Sequence, residues 1–133
     1  MIVVDASVLA NVVGDDHLDG DAARRRIASE ADIAAPDLAD VETVAVLRKR
    51  WLAGDLDDRR FGDAVAILAS LPLQRFPALP MFDRAYELRA NVTAYDAMYV
   101  ALAETLACSL LTVDAKLAAA PGPRCPIEVI TGA

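Results

Sequence analysis

Residues 1–13, MIVVDASVLANVV, change from a strand pattern to a helical pattern within a few positions. Met1–Val4 is a short apolar run that predicts a strand. The run ends at Asp5, and Ser7–Val13 has the composition of a short helix. A strand followed so closely by a helix is typical of α/β proteins, and the rest of the chain has to support or oppose that class.

The remaining sequence repeats this alternation. Further strands are predicted at residues 33–35, 73–76, 109–113 and 127–130, and helices at 21–30, 37–53, from Asp57 or Asp58 through Leu68, and at 81–90, 93–107 and 116–120. Pro36 suits a helix start, and Gly54 suits the position just after a helix. The pattern therefore predicts a central, mostly parallel sheet of four to five strands flanked by helices. No repeat or linker divides residues 1–133, so we expect a single domain.

The composition limits the functional classes. Hydrophobic residues make up 56% of the chain, yet the longest uncharged run, residues 64–74, is well short of the roughly 18 residues that a membrane span requires. The N-terminal residues lack the pattern of a signal peptide, so we expect a cytoplasmic protein. The net charge of −7 gives a poor surface for binding a phosphate backbone. Three basic clusters, residues 24–26, 48–50 and 59–60, are either solvated helix faces or a rim for phosphates.

Two aspartates follow predicted strands. Asp5 comes directly after the first strand, and Asp114 comes directly after the fourth. In open parallel sheets, ligands bind beyond the carboxyl ends of the strands, so both carboxylates occupy functional positions. Aspartate also ends strands and caps helices, and for each residue taken alone this structural interpretation remains open.

Two more acids lie inside predicted helices. Helical spacing aligns Glu42 with Leu38 and with Ala45 or Val46, which predicts a carboxylate on an apolar stripe, whereas Asp40 belongs to the solvated side. A carboxylate on a buried face is uncommon unless it is paired or binds a metal.

Asp96 has two compatible interpretations. Thr93 and Asp96 fit a capping box, with Thr93 as the N-cap, and a helix N-terminus also tolerates a negatively charged ligand. The four acids Asp5, Glu42, Asp96 and Asp114 could surround one site, where only protons or cations would make their repulsion tolerable. All-oxygen ligation favours Mg²⁺ or Mn²⁺ over zinc.

Three motifs together resemble one known family. They are MIVVDAS at residues 1–7, VTAYDAMYVALA at residues 92–103 and LTVDAKL at residues 111–117, with Glu42 between the first two. On these motifs and on its length, the chain resembles the PIN-domain nucleases, in particular the VapC-type toxins of bacterial toxin–antitoxin pairs. The first two motifs in combination are a specific signal, whereas either alone is weak.

The resemblance implies a PIN-like fold and a Mg²⁺-dependent endoribonuclease in which Mn²⁺ can substitute. It implies that Asp5 and Asp96 are metal ligands and that Glu42 and Asp114 complete a second metal site or orient water. Supporting hydroxyl groups are expected near the site, at Ser7, Thr93 and Thr112. It also implies a homodimer, an RNA substrate and a VapB-type antitoxin that covers the acidic pocket. The family often has a second hydroxyl residue directly after the first aspartate, where this chain has Ala6.

Several alternatives compete with a toxin. A PIN nuclease acting in RNA processing and a catalytically silent PIN binding module would share the fold, although a silent module should have lost one or more of the four acids. A haloacid-dehalogenase-like phosphatase would use Asp5 as nucleophile and needs a second aspartate where this chain has Ser7. The positions of the glycines allow neither GxGxxG nor GxxxxGK[ST].

Overall fold

The computed structural model describes residues 1–132. Its strands are β1 (Ile2–Val4), β2 (Ile33–Pro36), β3 (Leu73–Phe76), β4 (Ser109–Thr112) and β5 (Ile127–Val129). Its α-helices are α1 (Ala6–Gly14), α2 (Leu18–Ala28), α3 (Ala39–Leu52), α4 (Asp58–Ser70), α5 (Phe82–Leu88), α6 (Ala94–Thr105) and α7 (Ala115–Ala119), and a 3₁₀ turn at Leu79–Met81 precedes α5. None of the helices within the described residues is long and apolar enough to cross a bilayer.

All five strands form one parallel sheet with the order β3-β2-β1-β4-β5. The central strand β1 pairs with β2 on one side and with β4 on the other, so Val3 lies between Ala34 and Leu110. Because every strand runs in the same direction, the residues that follow the strands emerge at one edge. The predicted α/β class and parallel sheet are confirmed.

The core forms where the helices cover this sheet. On α1 and α6, nearly every residue beyond the first turn is buried, which agrees with their apolar sequences all round. Helix α6 packs against β1, β2 and β4, whereas α1 packs against α2, α3 and α4. The chain segments carrying the four candidate acids are thereby fixed around the central strand.

Local signals place several helix ends correctly. Asp57 is the N-cap of α4, and its Oδ1 accepts a hydrogen bond from the Arg60 backbone N–H at 2.7 Å. Gly54 follows the C-cap of α3 with a φ of +84°, a conformation that glycine adopts without a Cβ penalty. Both ends match the sequence-based expectation.

Other boundaries differ from the prediction for identifiable reasons. Helix α2 begins at Leu18, three residues earlier than expected, because the Asp15 side chain accepts hydrogen bonds from the backbone N–H groups of His17 and Gly20. Pro36 does not start a helix but ends β2, at a point where β1 no longer pairs with that strand, so its missing N–H is not needed there.

Two side chains of the predicted helix faces also behave differently. Helical spacing predicts Phe61, Val65 and Leu68 on one face, but Val65 is exposed, because the buried face of α4 carries Ala64 and Leu68. Asp40 was expected on the solvated side, but it is half-buried and forms an ion pair with Arg75, with 2.7 Å between its Oδ2 and Nε of the arginine. Pairing to a neighbouring strand lowers the cost of partly burying this carboxylate.

Candidate active site

Asp5 lies at the centre of the sheet's carboxyl edge. It follows β1, it is the N-cap of α1, and only 7% of its surface is exposed. Its Oδ1 accepts a hydrogen bond from the Val8 backbone N–H at 3.0 Å, and its Oδ2 accepts one from Thr112 Oγ1 at 2.5 Å. The backbone N–H of Ser7 also lies beside this carboxylate. Asp5 is therefore a buried anion held by donors from both β4 and α1.

Burial dominates the electrostatics of Asp5. Desolvation raises the pKa of its carboxyl above the ordinary value, because a buried site disfavours the charged form. The hydrogen bonds from Thr112 and Val8 oppose this shift, and the nearby charge of Asp96 adds to it. The protein thus retains a carboxylate that would be more stable beside a cation.

Thr112 joins Asp5 to the second strand-end acid. This residue is fully buried at the end of β4, and its hydroxyl donates to Asp5 while accepting a hydrogen bond from the Asp114 backbone N–H at 3.0 Å. Asp114 is exposed and caps α7, where its Oδ1 accepts a hydrogen bond from the Lys116 backbone N–H at 2.9 Å. One hydroxyl therefore fixes the chain around both aspartates.

Glu42 approaches the same edge from α3. The buried face of α3 carries Ala39, Thr43 and Leu47, so Glu42 lies at the margin of that face and is half-buried. Its Oε1 accepts a hydrogen bond of 3.0 Å from the Tyr99 hydroxyl. Burial raises the pKa of the Glu42 carboxyl, the Tyr99 hydrogen bond lowers it, and the charges of Asp96 and Asp5 raise it further.

Asp96 occupies the first turn of α6. Thr93 is the N-cap, and its Oγ1 accepts a hydrogen bond from the Asp96 backbone N–H at 3.2 Å, as the capping pattern predicts. The Asp96 side chain is half-buried, and its pKa is raised first by burial and then by the charge of Asp114. Because Thr93 Oγ1 accepts from the backbone N–H of Asp96, the cap does not exclude a ligand role for the carboxylate, and the two interpretations of this residue are compatible.

The four acids share one edge of the sheet, but they are not gathered around a single point. Besides burial, nearby charges raise the pKa values of three of these acids. Asp96 raises that of Asp5, Asp96 and Asp5 raise that of Glu42, and Asp114 raises that of Asp96. Within residues 1–132, however, no three acidic, histidine or cysteine side chains lie close enough together to hold one ion. The four acids therefore do not form a ready-made ligand cluster within these residues, and their binding of one shared cation stays a prediction.

The donor chemistry still suits a hard divalent cation. All four candidate side chains offer carboxylate oxygens, which Mg²⁺ and Mn²⁺ prefer. Mg²⁺ is usually held by one or two carboxylates together with waters and substrate phosphates, so a pair of carboxylates meets its needs. Burial and, to a smaller extent, the charge of Asp96 raise the pKa of Asp5, and a bound cation relieves electrostatic costs of this kind.

The sequence does not single out Tyr99 as a site residue. This residue is one more position of the predicted 93–107 helix, and its side chain is only 1% exposed. Its hydroxyl nevertheless binds Glu42, a residue of another helix. A fully buried tyrosine requires a partner for its hydroxyl, and its position three residues after Asp96 directs that hydroxyl toward the same edge.

Comparisons with known proteins agree with this fold. Residues 2–123 match the PIN domain family model. Ribonuclease VapC9 of Mycobacterium tuberculosis is 42% identical over 98% of both chains. The crystal structure of M. tuberculosis VapC20, a sarcin-ricin loop cleaving toxin, superposes with a TM-score of 0.71 at 20% identity, covering 90% of this chain and 94% of that one. VapBC2 from Rickettsia felis, solved bound to a promoter DNA fragment, gives a TM-score of 0.69 at 15% identity, covering 97% and 98%.

The chain therefore belongs to the PIN-domain family. Within that family its relatives are the VapC-type toxin ribonucleases, which confirms the family that the sequence motifs predict.

Proposed function

We propose that this protein is the toxin of a toxin–antitoxin pair and that it hydrolyses RNA phosphodiester bonds with the help of Mg²⁺, for which Mn²⁺ can substitute. The observation that carries the proposal is the buried Asp5 carboxylate at the carboxyl end of β1, held by Thr112 and by the N-terminus of α1, in a chain 42% identical to a VapC ribonuclease. We propose the cytoplasm as its place of action.

Asp5 and Asp96 are the proposed ion-holding residues. Hydrogen bonds from Thr112 and from the N-terminus of α1 fix the orientation of the Asp5 carboxylate at the edge of the sheet before an ion binds. A bound ion supplies Lewis acidity, which lowers the pKa of water and offsets negative charge on phosphate oxygens. Glu42 and Asp114 orient water or complete a second metal site. Supporting positions are proposed for three hydroxyl residues. Ser7 lies in the first turn of α1, Thr93 caps α6, and Thr112 ends β4.

RNA binding has to overcome the net charge of −7. Several arginines of the three basic clusters form hydrogen bonds or ion pairs within the protein. Arg24 donates to backbone carbonyls at the end of α1, Arg26 pairs with Glu128, and Arg60 pairs with Asp16. Exposed cations of these clusters that form no ion pair within residues 1–132 remain on α2, α3 and α4, namely Arg25, Arg48, Lys49 and Arg59. They are the proposed phosphate contacts from these clusters.

Partner binding is proposed on the exposed apolar surface. From the sequence, Trp51, Leu52 and Phe61 are candidates for either core or partner contact, with the core favoured. In the structure Leu52 and Trp51 are exposed, and Phe61 is half-buried against Trp51 with 6.2 Å between ring centroids. Exposed apolar groups mark interaction surfaces when they are contiguous. A VapB-type antitoxin covering the acidic edge and a second copy of this chain are the proposed partners.

Aspartate-to-asparagine variants test this function. We expect Asp5→Asn and Asp96→Asn each to lower RNA cleavage by at least about a hundredfold, the scale on which loss of one charge-stabilising group acts. Asparagine retains the size and the capping ability of aspartate, so the circular dichroism spectrum should not change. Cleavage is measured on purified protein in Mg²⁺ and by mapping RNA 5′ ends in cells after induction.

Asp83→Asn is the matched control, because Asp83 is exposed on α5 and lies outside the proposed site. It should cleave like the wild type. Full activity in either site variant, or the same set of new RNA ends from wild type and Asp96→Asn, contradicts the assignment.

A further inference from the structure

The Tyr99 hydroxyl contacts the acidic edge from within the core. Tyr99 is among the largest fully buried side chains, and it lies on α6 one turn after Asp96. Its hydroxyl donates to Glu42 Oε1 at 3.0 Å, across 57 residues of chain. This phenol therefore connects the interior of the protein to a carboxylate of the proposed site.

The same hydroxyl also lies at the start of α1. The backbone N–H of Ala6 is beside it, and the charge of Asp5 acts on it. The three chain segments that meet at this phenol are thus the β1–α1 junction, α3 and α6. These segments carry Asp5, Glu42 and Asp96 respectively, so one hydroxyl lies among the elements that supply three of the acids.

Electrostatics explains why Glu42 needs such a partner. Asp5 and Asp96 both repel the Glu42 carboxylate, which is only half-buried and carries several rotatable bonds. Without an opposing contact and without a cation, the side chain would turn toward solvent and away from its neighbours. The Tyr99 ring has few torsions and is enclosed by the core, so its hydroxyl is a fixed donor.

We propose that Tyr99 is a positioning residue that holds the Glu42 carboxylate toward Asp5 and Asp96 before any cation binds. The proposal rests on the proposed function, since it assigns Tyr99 a role in preparing the divalent-ion site. Tyr99 itself touches neither ion nor RNA. Its loss should therefore weaken ion binding and slow turnover, while the affinity for RNA stays the same.

Tyr99→Phe tests this role, because it removes only the hydroxyl and keeps the buried ring. Mn²⁺ is titrated into the RNA-free protein and followed by electron paramagnetic resonance. We expect about tenfold weaker Mn²⁺ binding, the size expected for losing one hydrogen bond to a charged group. In cleavage assays kcat should fall and KM for RNA should not change. Tyr86→Phe is the control, since the Tyr86 side chain is exposed, and it should match the wild type.

A thermodynamic cycle separates positioning from a general structural effect. In a Glu42→Gln background, Tyr99→Phe should cause no further loss of Mn²⁺ affinity, because its action passes through the Glu42 carboxylate. Glu42→Asp, which shortens the side chain by one methylene, should reproduce the Tyr99→Phe loss even if Tyr99→Phe folds poorly. Additive losses in the cycle, or wild-type Mn²⁺ affinity in Tyr99→Phe, overturn the proposal.

The experiment also separates this inference from the proposed function. A wild-type protein that binds Mn²⁺ and cleaves RNA, with a Tyr99→Phe variant that does both equally well, overturns only the role of Tyr99. A wild-type protein that neither binds Mn²⁺ nor cleaves RNA overturns the proposed function and, with it, the role of Tyr99.

Discussion

Asp5 illustrates how a candidate site residue can oppose the stability of its own fold. Its carboxylate receives hydrogen bonds from Thr112 and Val8, yet burial and the charge of Asp96 still raise its pKa above the ordinary value. A carboxyl whose pKa is raised on folding destabilises the native state when it is ionised. The hydrogen-bond donors around Asp5 reduce this cost without removing it.

The sign of this effect gives a prediction for stability. Below the unfolded pKa of Asp5, near 3.8, the carboxyl is protonated and does not destabilise the native state. As the pH rises through the higher folded pKa, the buried carboxyl ionises and the native state loses stability. In chelator at pH 7, Asp5→Asn should therefore have a larger free energy of unfolding than the wild type, and the gain should shrink as the pH falls toward 4. Urea denaturation at several pH values measures it.

Asp16→Asn provides a control of opposite sign. Its hydrogen bond with Arg60 lowers the pKa of Asp16, so the variant should not be more stable than the wild type at pH 7, and any loss should fade on acidification. An Asp5→Asn protein that is less stable than the wild type at pH 7 would show that the hydrogen bonds to Asp5 outweigh its burial.

At the scale of elements, the turn between α3 and α4 shows how local chemistry sets helix ends. Gly54 ends the first helix with a positive φ, and Asp57 caps the second. Neither residue contacts the acidic edge, but α3 carries Glu42 and α1 packs against both helices. The turn therefore helps to fix the direction from which α3 approaches the site.

Two glycine-to-alanine substitutions, used as a matched pair, test how backbone conformation ends α3. Neither an added Cβ at Gly54 nor one at Gly62 would meet any atom within 4 Å, so packing is equal at the two positions. Gly54→Ala should destabilise the protein by about 1 kcal/mol, because alanine is strained at a φ of +84°. Gly62→Ala, inside α4, should stabilise it by up to about 1 kcal/mol. Equal effects of the two changes in urea denaturation would contradict this account.

At the scale of the whole molecule, α1 and α3 pack closely behind the acidic edge. Leu47 of α3 is fully buried, and a Cβ added to Gly14 of α1 would lie only 2.6 Å from its Cδ2. These two helices carry or flank Glu42 and Asp5, so their contact sets the separation of two candidate acids. This packing helps to fix the two helices relative to each other.

Leu47→Ala tests that packing. We expect a loss of about 2–5 kcal/mol in the free energy of unfolding, the range for truncating a buried leucine. Val41→Ala on the same helix is the control, because Val41 is 75% exposed and should change stability by no more than about 0.5 kcal/mol. Thermal and urea denaturation measure both. Similar losses in the two variants would mean that α3 is not held by its buried face.

Much of the fold could be predicted from the sequence because its signals are local. The alternation of strands and helices, the Asp57 and Thr93 caps and the Gly54 helix end each depend on a few neighbouring residues, and the structure agrees with them. The four acids could also be chosen as site candidates from the sequence, because they follow predicted strands or lie within mainly apolar helices. Their roles in catalysis stay predictions.

Only the tertiary structure decided which side chains meet at the edge. Thr112 and Asp5 are 107 residues apart, and they touch because β4 crosses the sheet to pair with β1. The Tyr99–Glu42 contact and the pairing of Arg26 with Glu128 have the same origin. Short-range preferences determine strands, helices and caps, whereas contacts between distant residues depend on the strand order and on the packing of helices over it. The sequence therefore determined which acids are available, and the strand order determined how they face one another.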